Sequence, residues 1–139
     1  MQASVKWLDG MRFVATSGSG HALVMDGSGP EGQAASPMEM VLMAVGGCSS
    51  VDVVSILKKA RQDVADVEVL VKADRADTTP RVFTRIELEF VVTGRNVSET
   101  HVQRAVALSM DKYCSVSRML EQAAEIHHSY RIVESEPSA

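Results

Sequence analysis

Aromatic residues and cysteines are scarce in this sequence. The first shortage limits how the core can be built, and the second excludes several classes of cysteine-dependent protein. Three Phe, two Tyr and one Trp stand in a chain of 139 residues that is 45% hydrophobic. The core must therefore be built from aliphatic residues and the eight Met, whose flexible side chains fill irregular gaps. The two cysteines, Cys48 and Cys114, are too few and too far apart for a disulfide framework, a C-x-x-C redox pair or a zinc knuckle. We expect one domain whose thiols rest reduced.

The sequence also has no cluster of positive charge, no secretory signal and no long apolar run. The formal net charge is -4 and Lys and Arg are dispersed, which does not fit a nucleic-acid binder or a protein that docks on anionic lipid. Residues 1–10 lack the apolar middle of a signal peptide. The longest apolar stretch, Met38 to Cys48, is interrupted by Glu39 and has about half the length that spans a bilayer. We expect a cytoplasmic protein that binds no nucleic acid and no membrane.

Hydrophobic periodicity and turn residues predict an α+β domain with the element order βββ-α-ββ-α-α-β. Strands are expected at 2–8, 11–16, 21–25, 66–73, 82–92 and 126–133, and helices at 37–61, from the N-cap Asn96 onward, and at 115–124. The domain is expected to cover residues 1–134 and to leave residues 135–139 as a polar tail.

The first predicted helix has a clear start signal and an unusually apolar surface. Ser36, Pro37 and Glu39 match a capping box, with a hydroxyl at the N-cap, proline at the first helical position and a carboxylate three residues after the cap. A helix from Pro37 to Arg61 would be about 37 Å long. Because residues 38–45 are apolar on nearly every side, either the chain's own sheets or a second chain must enclose them. We expect an intertwined dimer.

The two cysteines differ in their predicted surroundings. Cys114 lies at the start of a predicted helix, where the helix dipole can lower the pKa of a thiol. Cys48 lies well inside its helix, and Asp52 one turn further on would raise the pKa of the Cys48 thiol unless a cation neutralised it. Cysteine is also among the most buried residue types. The residue pattern alone therefore leaves two interpretations open, buried structural cysteines and a redox pair.

Three short segments stand in a distinctive order along the chain. They are Ser36-Pro37-x-Glu39, then Ala44-Val45-Gly46-Gly47-Cys48-Ser49, and much later Cys114-Ser115-Val116-Ser117. With the predicted strands and helices between them, they resemble the osmotically inducible protein C and organic hydroperoxide resistance (OsmC/Ohr) family. The resemblance covers nearly the whole chain, and residues 36–57 are most similar to the YhfA-like subgroup. It implies an OsmC-like α+β fold in which two subunits wrap around each other, with long helices at the centre of the dimer.

The resemblance also implies a reaction and the residues that perform it. Cys48 would be the peroxidatic thiolate, which attacks an organic hydroperoxide and becomes a sulfenic acid. Cys114 would resolve the sulfenic acid to an intramolecular disulfide, which an external thiol or dithiol would reduce. The implied chemistry uses no cofactor and no metal. The implied partners are the hydroperoxide, the thiol reductant and a second copy of the chain.

The residues that would activate the thiolate depart from the pattern of the hydroperoxide-reducing members. In those members a glutamate directly follows the proline of the helix start and pairs with an arginine of the N-terminal hairpin. Met38 occupies that position here, and Glu39 comes one residue later, where the capping box already explains it. Arg12 is the only arginine of the N-terminal hairpin. The resemblance therefore makes Arg12 the candidate cation for Cys48 and Glu39 the candidate carboxylate.

The histidines do not predict a metal site, and two other functions stay open. His127 and His128 are adjacent on a predicted strand and face opposite sides, so they cannot both bind one ion without distortion. The main alternative function is a non-catalytic dimer of the same fold that holds a small hydrophobic ligand near the cysteines. A dimeric scaffold with unreactive buried cysteines is a third.

Overall fold

A computed structural model of the chain describes residues 1–136. Contacts along the chain separate two units, Met1–Val41 and a second that begins at Leu42. The predicted order βββ-α-ββ-α-α-β is confirmed, with one addition, a short π-helix between the second and third α-helices. Residues 137–139 of the expected polar tail lie outside the described residues.

The first unit contains an antiparallel sheet of three strands. They are β1 (Ala3–Asp9), β2 (Arg12–Ser17) and β3 (Ala22–Asp26), in that spatial order. Trp7 pairs with Phe13, and Phe13 pairs with Met25, so these apolar side chains share one face of the sheet. Trp7 is 67% exposed within the single chain. The chain therefore leaves much of this apolar face uncovered.

The second unit contains a mixed sheet with its longest strands side by side. Its strands are β4 (Asp63–Arg75), β5 (Phe83–Arg95) and β6 (Glu125–Glu134). The central strand β5 pairs antiparallel with β4 and parallel with β6. Its side chains alternate between core and surface, and the buried ones include Ile86, Leu88 and Phe90. This alternation is the period-two pattern that predicted the strand.

The parallel pairing of β5 with β6 requires a long crossover, and the helices supply it. They are α2 (Glu99–Leu108), the π-helix (Ser109–Tyr113) and α3 (Ser115–Leu120). Val102, Ala105 and Val106 form the buried face of α2. The crossover therefore packs the apolar face of α2 into the core and carries Cys114 between the π-helix and α3.

Helix α1 spans Pro37–Lys59, which makes it about 35 Å long. By length and composition alone it could cross a bilayer, a property that core helices of soluble proteins share, and 28% of its most apolar window is buried. Val45, Val53 and Leu57 are fully buried, whereas Met43 is 60% and Val51 is 69% exposed within the single chain. One apolar side of α1 thus packs in the core and the opposite side is open.

The prediction that Asn96 caps the second helix is wrong, and the cap is Ser98. The Ser98 hydroxyl accepts a hydrogen bond from the His101 N–H at 3.4 Å. Asn96 instead takes a left-handed backbone conformation with φ of 49°, which Asn tolerates better than most residues, and its N–H donates to Glu134. Both residue types favour caps, so the sequence could not separate two candidates so close together.

Candidate redox site

Cys48 lies in the middle of α1, where the helix passes close to the sheet. Gly46 is buried there, and a Cβ at Gly46 would lie 3.2 Å from Cγ2 of Val71 on β4. Ser49 is fully buried and its hydroxyl donates to the Val45 carbonyl one turn earlier, at 2.8 Å. Cys48 itself is half-buried and is not in a disulfide. Its thiol is therefore partly accessible on a well-packed turn of helix.

Cys114 lies at the junction between the π-helix and α3, and it takes part in both. Its N–H donates to the Ser109 carbonyl at 2.8 Å, which closes the π-helix. Its sulfur occupies the N-cap of α3 and accepts a hydrogen bond from the Ser117 N–H at 3.4 Å. The residue has 0% of its surface exposed. Its thiol is thus fixed in position by backbone groups on both sides.

The structure brings the two cysteines together. The side chain of Cys48 lies close enough to that of Cys114 for the two thiols to interact, although 66 positions separate them in the sequence. Burial raises the pKa of the Cys114 thiol, and the contact with Cys48 raises it further, against the opposing effect of the Ser117 N–H. The expectation of a lowered pKa at this helix start is wrong for Cys114, because desolvation outweighs the few donors that so short a helix offers.

Asp52 and Ser109 connect the two elements that carry the cysteines. The Ser109 hydroxyl donates to Oδ2 of Asp52 at 2.9 Å and lies 3.5 Å from the Ser49 carbonyl oxygen. Ser109 is fully buried and Asp52 is half-buried. Asp52, predicted to share a helix face with Cys48, thus accepts a hydrogen bond from the π-helix. No motif in the sequence marks Ser109 as functional; the available signal is that a hydroxyl on a buried helix face needs a hydrogen-bond partner.

Glu39 serves as the carboxylate of the predicted capping box. Its Oε1 accepts the Ser36 N–H at 2.9 Å, and its own N–H donates to the Ser36 hydroxyl at 3.1 Å. The hydrogen bonds from the backbone and side chain of Ser36 lower the pKa of Glu39. The side chain is therefore engaged in starting α1, the helix that carries Cys48. Met38 beside it is half-buried and offers no charge.

Arg12 lies at the start of β2 and is already paired with a carboxylate. Its Nε and Nη2 donate to the two carboxylate oxygens of Asp9 at 2.7 and 2.6 Å, a bidentate arrangement. This pairing raises the pKa of Arg12 and lowers the pKa of Asp9. Gln33 accepts a longer hydrogen bond from Nη1 at 3.5 Å. Arg12 thus holds a fixed place within the first unit.

The α+β fold has this element order and brings a thiol on a long helix close to a thiol on the crossover. Together these features point to one class of protein, the OsmC-like family. The family model for OsmC-like proteins matches residues 29–129, and the chain belongs to this family. It is 56% identical to protein YhfA of Escherichia coli strain K12 over 133 residues, which are 96% of this chain and 98% of that protein. The resemblance to the family and to its YhfA-like subgroup is confirmed.

Solved structures agree with this assignment. A hypothetical protein from Aquifex aeolicus VF5 superposes with a TM-score of 0.86 and 30% identity, over 97% of each chain. The organic hydroperoxide resistance protein OhrB of Bacillus subtilis superposes with a TM-score of 0.63 and 16% identity, over 94% of this chain and 98% of that one. At that identity the second likeness shows the fold alone. The predicted OsmC-like fold class is therefore confirmed.

Proposed function

We propose that this protein is a thiol-dependent peroxidase that reduces organic hydroperoxides, with Cys48 as the attacking residue and Cys114 as the resolving residue. The observation that carries the proposal is the contact between these two thiols, which the fold makes across 66 positions of sequence. Membership of the OsmC/Ohr family supports a peroxide-related redox role.

The proposed reaction has two steps on the protein and one reductive step. The Cys48 thiolate attacks the terminal peroxide oxygen, the O–O bond breaks, and the alkoxide takes up a proton and leaves as an alcohol. Cys48 is then a sulfenic acid. The Cys114 thiol attacks its sulfur, the S–O bond breaks, water leaves, and a disulfide forms. An external thiol or dithiol supplies two electrons and two protons and restores both cysteines.

The different surroundings of the cysteines support this division of roles. Within the single chain Cys48 is half-buried and Cys114 is fully buried, so Cys48 is the more accessible of the two residues for a hydroperoxide. The raised pKa of Cys114 keeps it a neutral thiol at physiological pH, and a neutral thiol is a poor nucleophile towards peroxide. Cys114 would therefore wait until a sulfenic acid forms beside it. This arrangement avoids competition between the two thiols for the first step.

Arg12 and Glu39 have supporting roles in the proposal. Arg12 is the proposed cation that favours the Cys48 thiolate, as in the hydroperoxide-reducing members of the family. Its present partner Asp9 would share it or release it. Glu39 would act through the helix cap that starts α1, because its carboxylate is bonded to Ser36. No cofactor or metal enters this mechanism.

The proposed assembly is an intertwined homodimer in the cytoplasm, in which residues 1–134 form one OsmC-like domain per subunit. OsmC/Ohr proteins are typically dimers. Within the single chain, Trp7 on β1 is 67% exposed. On α1, Met43 is 60% exposed and Val51 is 69% exposed. Soluble monomers rarely leave such apolar surface in water. A second copy of the chain would cover it.

The test is a titration of free thiols after one equivalent of cumene hydroperoxide. We expect the parent to lose both thiols and to regain them with dithiothreitol. Cys48→Ser should consume no peroxide, whereas Cys114→Ser should complete one turnover and leave a sulfenic acid that dimedone traps. If the parent keeps two titratable thiols, or if both single variants reduce hydroperoxide as fast as the parent, the proposal fails. The non-catalytic ligand-binding dimer then becomes the better account.

A further inference from the structure

The hydrogen bonds of Ser109 join the two cysteine-bearing elements by separate atoms. Its hydroxyl donates to Oδ2 of Asp52 at 2.9 Å, on the helical turn that follows Cys48. Its carbonyl oxygen accepts the N–H of Cys114 at 2.8 Å. One buried residue therefore links α1 to the backbone of Cys114.

The setting of Ser109 makes this link hard to replace. The residue has 0% exposure, so water cannot replace a broken bond, and the other acceptor near its hydroxyl, the Ser49 carbonyl oxygen on α1, is 3.5 Å away. Ser109 also begins the π-helix Ser109–Tyr113, and the wider turn of this helix ends directly at Cys114. Short π-helical segments are found frequently at functional sites. The position of Cys114 thus depends on where Ser109 is held.

We propose that Ser109 and Asp52 are positioning residues that hold the Cys114 thiol against Cys48 and thereby set the rate of disulfide formation. The inference rests on the proposed peroxidase function for its place in the cycle. In the step concerned, the Cys114 sulfur attacks the Cys48 sulfenic acid, the S–S bond forms as the S–O bond breaks, and water leaves. That step depends on the relative placement of the two sulfur atoms. The hydrogen bond between Ser109 and Asp52, called the tether below, controls that placement.

The attack on peroxide does not need the tether, because Cys114 takes no part in it. Ser109→Ala should therefore slow disulfide formation by about tenfold, the effect typical of losing one buried hydrogen bond to a carboxylate. It should leave the rate of sulfenic acid formation unchanged, measured with dimedone in a Cys114→Ser background. Asp52→Ala should slow disulfide formation less than Ser109→Ala, because the Ser109 hydroxyl can still donate to the Ser49 carbonyl on α1. The double variant should be no slower than Ser109→Ala alone, since Ser109→Ala already removes the bond to Asp52.

Ser50→Ala is the matched control for the serine substitution. The Ser50 hydroxyl donates to the Gly46 carbonyl at 2.6 Å within α1 and makes no bond to the π-helix. We expect normal disulfide formation in this variant. Equal slowing in Ser50→Ala and Ser109→Ala would overturn the proposal, and so would additive effects of Ser109→Ala and Asp52→Ala.

A second measurement separates this inference from the peroxidase proposal. The protein is equilibrated in mixtures of reduced and oxidised glutathione, and the fraction of Cys48–Cys114 disulfide is measured by mass spectrometry. If the tether holds the thiols together, the effective concentration of one thiol at the other should be about tenfold lower in Ser109→Ala than in the parent. If peroxide leaves the parent's thiols intact while this shift is observed, the tether stands and the peroxidase proposal falls. An unchanged equilibrium in Ser109→Ala and Asp52→Ala overturns the tether whatever peroxide does.

Discussion

Replacement of Val51 by lysine should weaken the proposed dimer strongly. Val51 lies on the open side of α1 and is 69% exposed within the single chain. Complete burial of a valine side chain is worth about 1.5–3 kcal/mol, so covering the exposed part contributes about 1–2 kcal/mol per subunit. Two subunits lose about 2–4 kcal/mol, which raises the dissociation constant by about 30-fold to 1,000-fold. The lysine charge, if enclosed, adds to this loss.

The assay is sedimentation velocity together with urea unfolding at two protein concentrations. A dimer whose folding depends on association unfolds at a lower urea concentration when it is diluted, and Val51→Lys should enlarge that dependence. Gln103→Lys is the control, because it adds the same charge at an exposed position of α2. The reasoning is refuted if Val51→Lys assembles as well as Gln103→Lys. A parent that sediments as a folded species of 15.0 kDa at micromolar concentration refutes it equally.

Two further predictions concern Glu39 and Cys114. Glu39→Gln should reduce peroxide at the rate of the parent, because glutamine can also complete a capping box. Ser36→Ala should lower the free energy of unfolding by about 1 kcal/mol. A large loss of peroxidase rate in Glu39→Gln would instead assign a catalytic role to the charge of Glu39. Burial raises the pKa of Cys114 in the folded protein above its unfolded value, so the stability that this thiol confers is full below about pH 8.5 and is lost as the pH rises towards the folded value. Urea unfolding of Cys48→Ser from pH 7 to 10 should show that loss, and the same protein with Cys114→Ser should not.

The element order and the start of α1 could be predicted because their signals are local. The capping box needs only Ser36 and Glu39, which are three residues apart, and both of its hydrogen bonds are present. Alternation along 82–92 likewise identified β5, because one face of that strand is buried. Strand ends were less accurate, since β4 begins at Asp63 across an irregularity in its pairing with β5 that no residue pattern marks.

The sequence could nominate candidate site residues but not their arrangement. Family resemblance identified Cys48 and Cys114, but burial reversed the direction expected for the pKa of Cys114. The bond between Asp52 and Ser109 joins residues 57 positions apart, and a pairing of that kind is created by tertiary packing alone. The π-helix was missed because its residues follow α2 directly, with no intervening turn or loop. A one-residue change in helical winding has no local signature of its own.

In the proposed reaction the chain would alternate between a reduced form and an oxidised form that differ in stability. A bond between Cys48 and Cys114 closes a loop that contains all of β4, β5, α2 and the π-helix. Closing a loop of this size lowers the entropy of the unfolded chain enough to stabilise the folded one by about 4 kcal/mol. The oxidised protein would therefore resist heat and proteolysis more than the reduced protein. A cell under peroxide stress would hold this protein in its more durable form until the supply of reducing thiols recovered.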